Sequence, residues 1–309
     1  MKKDLKLIIR NILILLTILI VIDIIVGILF TTISNKVVDK NPSTMITEYT
    51  IEKVNTDIII LGSSRANRHY SPSIIEKKLK LTTYNCGKSN QLNFNYSAAM
   101  FDALVKRYTP KLVIFDIEPI ILDKAFAKEY NLPNELNHYY FKNNLFKEIV
   151  NNADPTERIK ILSSMYRYNS RFIYIFDQLL APKNNIYHGY VPLKNKGYKQ
   201  KIQYKSYQKE GEIDQFIVSL LKRTIVLAKE KNIKLIFSIS PQYQSSNYSQ
   251  TKSYKLLQQI LNDQKIPLIN NSNTTLISDP NDYNDIMHLN QRGADKFSEK
   301  FAEQVIKQL

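Results

Sequence analysis

Two short stretches near opposite ends of the chain hold residues that can do chemistry together. The first is Gly62-Ser63-Ser64-Arg65, directly after the apolar run Ile58-Ile59-Ile60-Leu61. The second is Asp285-Ile286-Met287-His288. A serine hydroxyl is a poor nucleophile until a neighbouring base takes its proton, and that base needs a third group to fix its tautomer. Ser64, His288 and Asp285 can fill those three roles if the loops that carry them adjoin. Each also has a plainer role open to it. A Gly-Ser-Ser turn serves as a loop or helix cap, and Asp285 as an N-cap. Asp282 is a second candidate for orienting the histidine.

The elements that must bring the two stretches together follow from the pattern around them. Four apolar residues in a row, three of them β-branched, predict a short strand buried on both faces, as in a parallel sheet. The chain turns at Gly62, so Ser64 leaves the strand's carboxyl end, where ligands of open α/β sheets bind. Ser71-Pro72 then starts a helix through Leu79, with proline at its first position. Further strands are expected at Thr82–Asn85, Lys111–Ile117, Lys234–Ser240 and Pro267–Ile269. Helices are expected between them at about 93–108, 212–231 and 254–263, and a last one at about 291–308. Strands alternating with helices predict a largely parallel sheet in an α/β fold.

The N-terminal segment bears on location. Lys2, Lys3, Lys6 and Arg10 precede an almost wholly apolar run from Asn11 to Ile33, long enough for a bilayer core, which needs about 20 residues. Only Lys36 and Lys40 closely follow it. The positive-inside rule therefore puts the N-terminus in the cytoplasm and the remainder outside, as a single-pass membrane protein. Phe30-Thr31-Thr32-Ile33-Ser34 is a poor cleavage site, which favours a retained anchor over a signal peptide. Asp23 interrupts the apolar run, where a carboxylate is costly; it marks a helix–helix contact, with a membrane-protein partner as one reading, or is simply protonated.

These boundaries divide the chain into a basic stub and transmembrane anchor (1–34), a linker (35–50) and an α/β domain (51–309). From about 122 to 211 the alternation weakens, and an inserted, mainly helical region over one end of the sheet is expected there. Within it, Lys194–Lys209 has the polar composition of a mobile surface segment. Lys and Arg exceed Asp and Glu by 15 (43 against 28). That excess suits lysine spread over solvated faces, or affinity for anionic lipid or polymer. No zinc-finger spacing or RNA-binding aromatic motif accompanies it, which argues against nucleic acid. The four histidines are far apart, with no metal-binding His pair, and Cys86 is the single cysteine, better suited to packing than to a second nucleophile.

The order Ser…Asp…His matches α/β-hydrolases, but their Gly-x-Ser-x-Gly elbow is absent. The placement instead resembles the SGNH (GDSL-like) hydrolase and acyl-esterase superfamily, closest to its membrane-anchored bacterial branch. Gly62-Ser63-Ser64 resembles the first block, with Ser64 in the nucleophile position. Asn85-Cys86-Gly87 resembles the second, and Asp285-Ile286-Met287-His288 with Leu289, Asn290 and Gly293 the last. The resemblance implies a three-layer αβα sandwich with a mainly parallel sheet, preceded by one transmembrane helix. It implies a triad of Ser64, His288 and Asp285, and oxyanion donors at Ser64 and Gly87, to which Asn90 is added. Arg65 is a candidate clamp for an anionic substrate group. No cofactor and no metal are implied. The third block departs, since Asp116 and Glu118 stand where an asparagine is expected, and an ionised carboxylate would repel an oxyanion.

Two functions follow. One is a serine esterase or acyltransferase acting on ester-linked acetyl or other small acyl groups of an envelope polysaccharide or polymer. The other is a catalytically inactive scaffold or carbohydrate-binding module of a membrane-associated envelope assembly.

Overall fold

The computed structural model describes the chain except residues 1, 39, 41, 43–44, 131–132, 170, 181–186, 195–196, 200 and 273–275. In chain order it runs α1 (Lys2–Val38), α2 (Ile46–Glu52), β1 (Ile58–Gly62), α3 (Ser64–His69), α4 (Pro72–Leu79) and β2 (Thr83–Asn85). Next come α5 (Phe94–Val105), β3 (Leu112–Asp116), α6 (Lys124–Glu129), α7 (Asn144–Ala153), α8 (Glu157–Lys160), α9 (Ser164–Tyr168) and α10 (Phe172–Leu180). The chain then passes through β4 (Gln203–Lys205), α11 (Gln215–Glu230), β5 (Lys234–Ile239), β6 (Gln244–Ser246), α12 (Lys252–Asp263), β7 (Leu268–Asn270) and α13 (Gln291–Ile306).

Two compact units share the chain. One joins Met1–Asn41 to Pro133–Lys183, and the other joins Pro42–Leu132 to Asn184–Leu309. The second unit holds a five-stranded sheet in the order β2-β1-β3-β5-β7, with every pairing parallel. From β1 the chain steps to β2 on one side, then crosses back to β3 on the other. The switch point of the sheet therefore lies between β1 and β3, where their carboxyl ends leave a crevice.

Alternate residues of the strands face two layers of helix. On one face Ile58, Ile60, Leu112, Ile114 and Ile236 pack with Ile75 of α4 and with Phe297, Phe301 and Val305 of α13. On the other, Phe115 lies against Phe94 and Phe101 of α5 and Phe237 of β5, with ring centroids 5.1–5.8 Å apart. The expected three-layer α/β sandwich with a parallel sheet is present. The strands are short and apolar because both of their faces are covered.

The first unit is helical. The α1 helix continues through Val38, past the expected end of the anchor. Asp23 finds its partners within its own chain: Ser163 Oγ and the Ser164 and Met165 amides donate to it at 2.6–2.9 Å. It therefore caps α9, and this contact gives no reason to invoke a second protein.

Three boundaries differ from expectation. Part of the expected linker at 35–50 is helical, since α2 buries Ile46, Thr47, Glu48 and Thr50, and the Thr47 hydroxyl meets Tyr96 OH at 2.9 Å. Linker residues 39, 41 and 43–44 lie outside the described residues. The region expected at 122–211 is divided, because residues 184–211 belong with the sheet unit. The tract Lys194–Lys209 contributes β4, which pairs in parallel with β6, and Tyr198 rests edge-on against Tyr243 at 5.5 Å. Its described lysines are exposed, as is Tyr204, while Tyr198 and Tyr207 are partly buried. Residues 195–196 and 200 of that tract also lie outside the described residues.

Candidate active site

The turn after β1 is built by a glycine. Gly62 has φ +149°, and a Cβ there would run into the Asp116 carbonyl oxygen of β3 and sit 2.8 Å from the Ala66 side chain. This close approach lets the chain leave β1 and enter α3 within two residues. Ser64 is the first residue of α3, so its amide lacks an intrahelical acceptor. Its side chain stands at the carboxyl edge of the sheet, beside the switch point.

The other half of the site comes from the loop between β7 and α13. An isolated bridge between Tyr283 and Leu289 pinches the loop closed, and the Asn284 amide donates to the His288 carbonyl at 2.8 Å. Within this hairpin Asp285 Oδ1 accepts the Met287 and His288 amides at 2.8 and 2.9 Å. The three-residue spacing thus fixes the carboxylate beneath the imidazole.

The two halves meet. Ser64 Oγ lies 2.8 Å from His288 Nε2, and His288 Nδ1 lies 3.0 Å from both Asp285 oxygens. Burial would raise the Asp285 carboxyl, but the bonds from His288 and the Met287 amide outweigh it and hold the group well below the usual carboxylate range. Ionised Asp285 makes Nδ1 the protonated nitrogen and leaves Nε2 free to accept the serine proton. Asp282, the rival orienting acid, is turned away and buried against α13, where it pairs with Arg292 and Lys296 at 2.6 and 2.9 Å.

Other expected site residues are placed differently. Arg65 is not a substrate clamp. Its side chain is 1% exposed, and Nη2 lies 2.8 Å from Glu118 Oε1 and donates to the Ile117 carbonyl at 3.1 Å. The carboxylates of the altered third block are therefore matched by a buried cation rather than aimed at an oxyanion. Asp116 also accepts the Tyr70 hydroxyl at 2.7 Å and the Ser240 amide at 3.0 Å. Burial still pushes its carboxyl up to about 6, against the pull of Arg65 and these donors.

Gly87 is not a free oxyanion donor either. Its N–H donates to Asn85 Oδ1 at 3.0 Å. A Cβ at Gly87 would collide with the Asn67 backbone nitrogen, so the glycine serves close contact between this loop and α3. Asn85 completes the join by donating to the Ala66 and Tyr70 carbonyls at 2.7 and 2.9 Å. Asn90 is exposed in a left-handed turn (φ 67°), and no described hydrogen bond ties it to Ser64 or His288. Cys86 is buried, and burial pushes its thiol up to about 12, so it stays protonated and packs.

One contributor escaped sequence reasoning. His69, at the end of α3, is fully buried, and its Nε2 accepts the Leu289 amide at 3.0 Å. Its ring stands edge-on to His288 with centroids 6.2 Å apart. Burial, with His288 and Arg65 nearby, holds it well below the ordinary histidine range, so it stays neutral and keeps that acceptor. Its position five residues after Ser64, on the same short helix, was the available signal.

No family model matches the chain, and no curated protein matches it. Among solved structures it is similar to a provisionally assigned acylhydrolase from Bacteroides fragilis NCTC 9343, at 12% identity and a TM-score of 0.41. That likeness covers 85% of this chain and 94% of the other. It is similar also to a provisionally assigned lipolytic protein of the G-D-S-L family from Desulfitobacterium hafniense DCB-2, at 11% identity and a TM-score of 0.38. There the coverage is 81% of this chain and 99% of the other. Both likenesses are distant.

Proposed function

We propose that the chain is a serine esterase or acyltransferase, carried on the membrane by α1 with its sheet unit outside the cytoplasm. The observation that carries this reading is the continuous Ser64–His288–Asp285 chain of contacts at 2.8 and 3.0 Å. Ser64 Oγ attacks an ester carbonyl carbon while His288 Nε2 takes its proton. The tetrahedral adduct collapses as the carbon–oxygen bond to the alcohol breaks, and His288 returns the proton to the departing alkoxide. Water or a sugar hydroxyl then attacks the acyl-enzyme through the same base, which frees Ser64.

Of the backbone donors named from sequence, the Ser64 amide is the one left available for the oxyanion, since the Gly87 N–H is taken by Asn85. Each missing donor costs about 100- to 1,000-fold in rate, so a slow enzyme, or one whose acceptor completes the hole, fits this site. The same shortage is what favours the second reading, an inactive scaffold that binds carbohydrate. The location outside the cytoplasm points to small acyl groups on an envelope polymer as substrate.

Hydrolysis of a small activated ester by the full-length protein in detergent separates the two readings. Activity lost in Ser64→Ala and kept in Ser63→Ala supports the enzyme. Equal activity in the wild type and Ser64→Ala would leave the scaffold.

A further inference from the structure

Asp23 interrupts the apolar run from Asn11 to Ile33. A carboxylate at that level is tolerated only where protein groups satisfy it. Here they come from the segment 133–183. Ser163 Oγ and the Met165 amide donate to Oδ1 at 2.6 and 2.9 Å, and the Ser164 amide donates to Oδ2 at 2.7 Å. One turn further along α1, a Cβ at Gly27 would meet Ser164 at 2.6 Å, so the glycine admits α9 to close contact. Thr31 Oγ1 then lies 2.8 Å from Tyr168 OH, and Phe30 packs on Tyr168 and edge-on to Phe172 and Phe176. Lys40 Nζ reaches the Leu179 carbonyl at 2.8 Å. The α9–α10 pair thus runs beside α1 from Asp23 onward and reaches Lys40 just past its end.

The helix rise sets the depth of this contact. At 1.5 Å per residue, Asp23 lies about 15 Å along the axis below Ile33. A bilayer core is about 30 Å thick, so the turn Ser163–Met165 sits at the depth of hydrocarbon rather than above it.

The exposed side chains match that depth. Ile159, Leu162 and Ile173 are 66–70% exposed, and Met165 and Leu180 are exposed beside them. On the same stretch of α1, Ile24, Ile25, Ile28 and Leu29 remain exposed, so the apolar surface passes from one element to the others without a break in type. Of the polar groups among them, Arg167 is half-buried, Glu157 is buried, and Arg158 and Lys160 stay exposed. Arg167 donates to the Ile161 carbonyl and to Ser164 Oγ, and Lys160 pairs with Glu157 and Asp154. The stretch from Leu162 to Met165, where exposed apolar side chains surround satisfied polar groups, suits a lipid-facing surface.

We propose that α9 and α10 are embedded in the outer leaflet beside α1, with Leu162, Met165 and Ile173 facing acyl chains. The α1, α9 and α10 helices then form an intramembrane platform rather than a single anchor helix. This rests on the reading of α1 as a membrane span, and the experiment keeps the two claims apart.

The chain contains no tryptophan, so single introduced tryptophans report alone. The full-length variants Ile14→Trp, Leu162→Trp, Ile173→Trp and Val226→Trp are reconstituted in phosphatidylcholine–phosphatidylglycerol vesicles, with and without dibrominated acyl chains. All four positions are about half exposed or more, so folding is not at stake. The proposal predicts that brominated lipid quenches Leu162→Trp and Ile173→Trp as strongly as Ile14→Trp, while Val226→Trp on α11 keeps its emission. Quenching at Ile14→Trp but not at Leu162→Trp and Ile173→Trp would overturn the embedded platform and leave the span standing. If those two emissions are blue-shifted yet unquenched, a second copy of the chain covers the surface and the lipid assignment is wrong. Absence of quenching at Ile14→Trp would overturn the span and the platform together.

Discussion

At the scale of single residues, the proposed mechanism divides the site into groups that would touch a reacting ester and groups that hold them. Members of a triad act as a unit, so their losses are not additive. His288→Ala should lower ester hydrolysis by about 1,000-fold or more. Asp285→Ala should be milder, because the Asn284–His288 main-chain bond and the loop bridge still hold the imidazole. Adding Asp285→Ala to Ser64→Ala should cost almost nothing further. A steady-state assay of the four variants checks the series.

Asp116 gives a residue-scale signature in stability. Its carboxyl is pushed up to about 6 in the folded protein. The unfolded chain releases that proton near pH 4. Between those values the folded state holds a proton that the unfolded state has lost. The contribution of Asp116 is thus fully present below about pH 4 and falls away as pH rises through 6. Denaturant titrations of wild type and Asp116→Asn should diverge in slope across that window, with the variant the flatter. Identical profiles would mean that burial does not raise this carboxyl as described.

Among the elements, the parts of the fold that sequence exposed most clearly are those with one strong periodic or punctuating signal. Ile58–Leu61 announces a buried strand, Ser71-Pro72 a helix start, and the apolar stripe Ala294, Phe297, Phe301, Val305 and Ile306 the last helix, which is buried along that stripe except at the half-exposed Ile306. The Asp-x-x-His spacing likewise exposed the relation of Asp285 to His288. What stayed hidden depends on contacts distant in sequence. Nothing local to Arg65 says that Glu118 and Asp116 will enclose it, and nothing at Gly87 says that Asn85 will take its N–H. The two-stranded pairing of β4 with β6 was hidden by lysines on a short strand. That pairing predicts that deleting 194–209 lowers the unfolding midpoint, since it removes β4 and the Tyr198–Tyr243 contact. Calorimetry showing an unchanged midpoint would make the tract a dispensable surface loop.

For the whole molecule, the charge asymmetry about α1 predicts one orientation. Lys2, Lys3, Lys6 and Arg10 precede the apolar run, and two lysines closely follow it. A reporter that works only outside the cytoplasm should therefore be active when fused after Leu309, and a cytoplasm-only reporter at that position should be silent. The reverse pattern would move the sheet unit, and with it the proposed envelope substrate, to the other side of the membrane.

The central claim is that Ser64 is an activated nucleophile, and a covalent probe tests it most directly. A fluorophosphonate reacts readily with a serine only when a neighbouring base takes the hydroxyl proton. The full-length protein should therefore be labelled at one residue, with peptide mass mapping placing the adduct on Ser64. Labelling should vanish in Ser64→Ala and His288→Ala and persist in Ser63→Ala. An adduct on Ser63, or labelling that survives both Ser64→Ala and His288→Ala, would contradict the account.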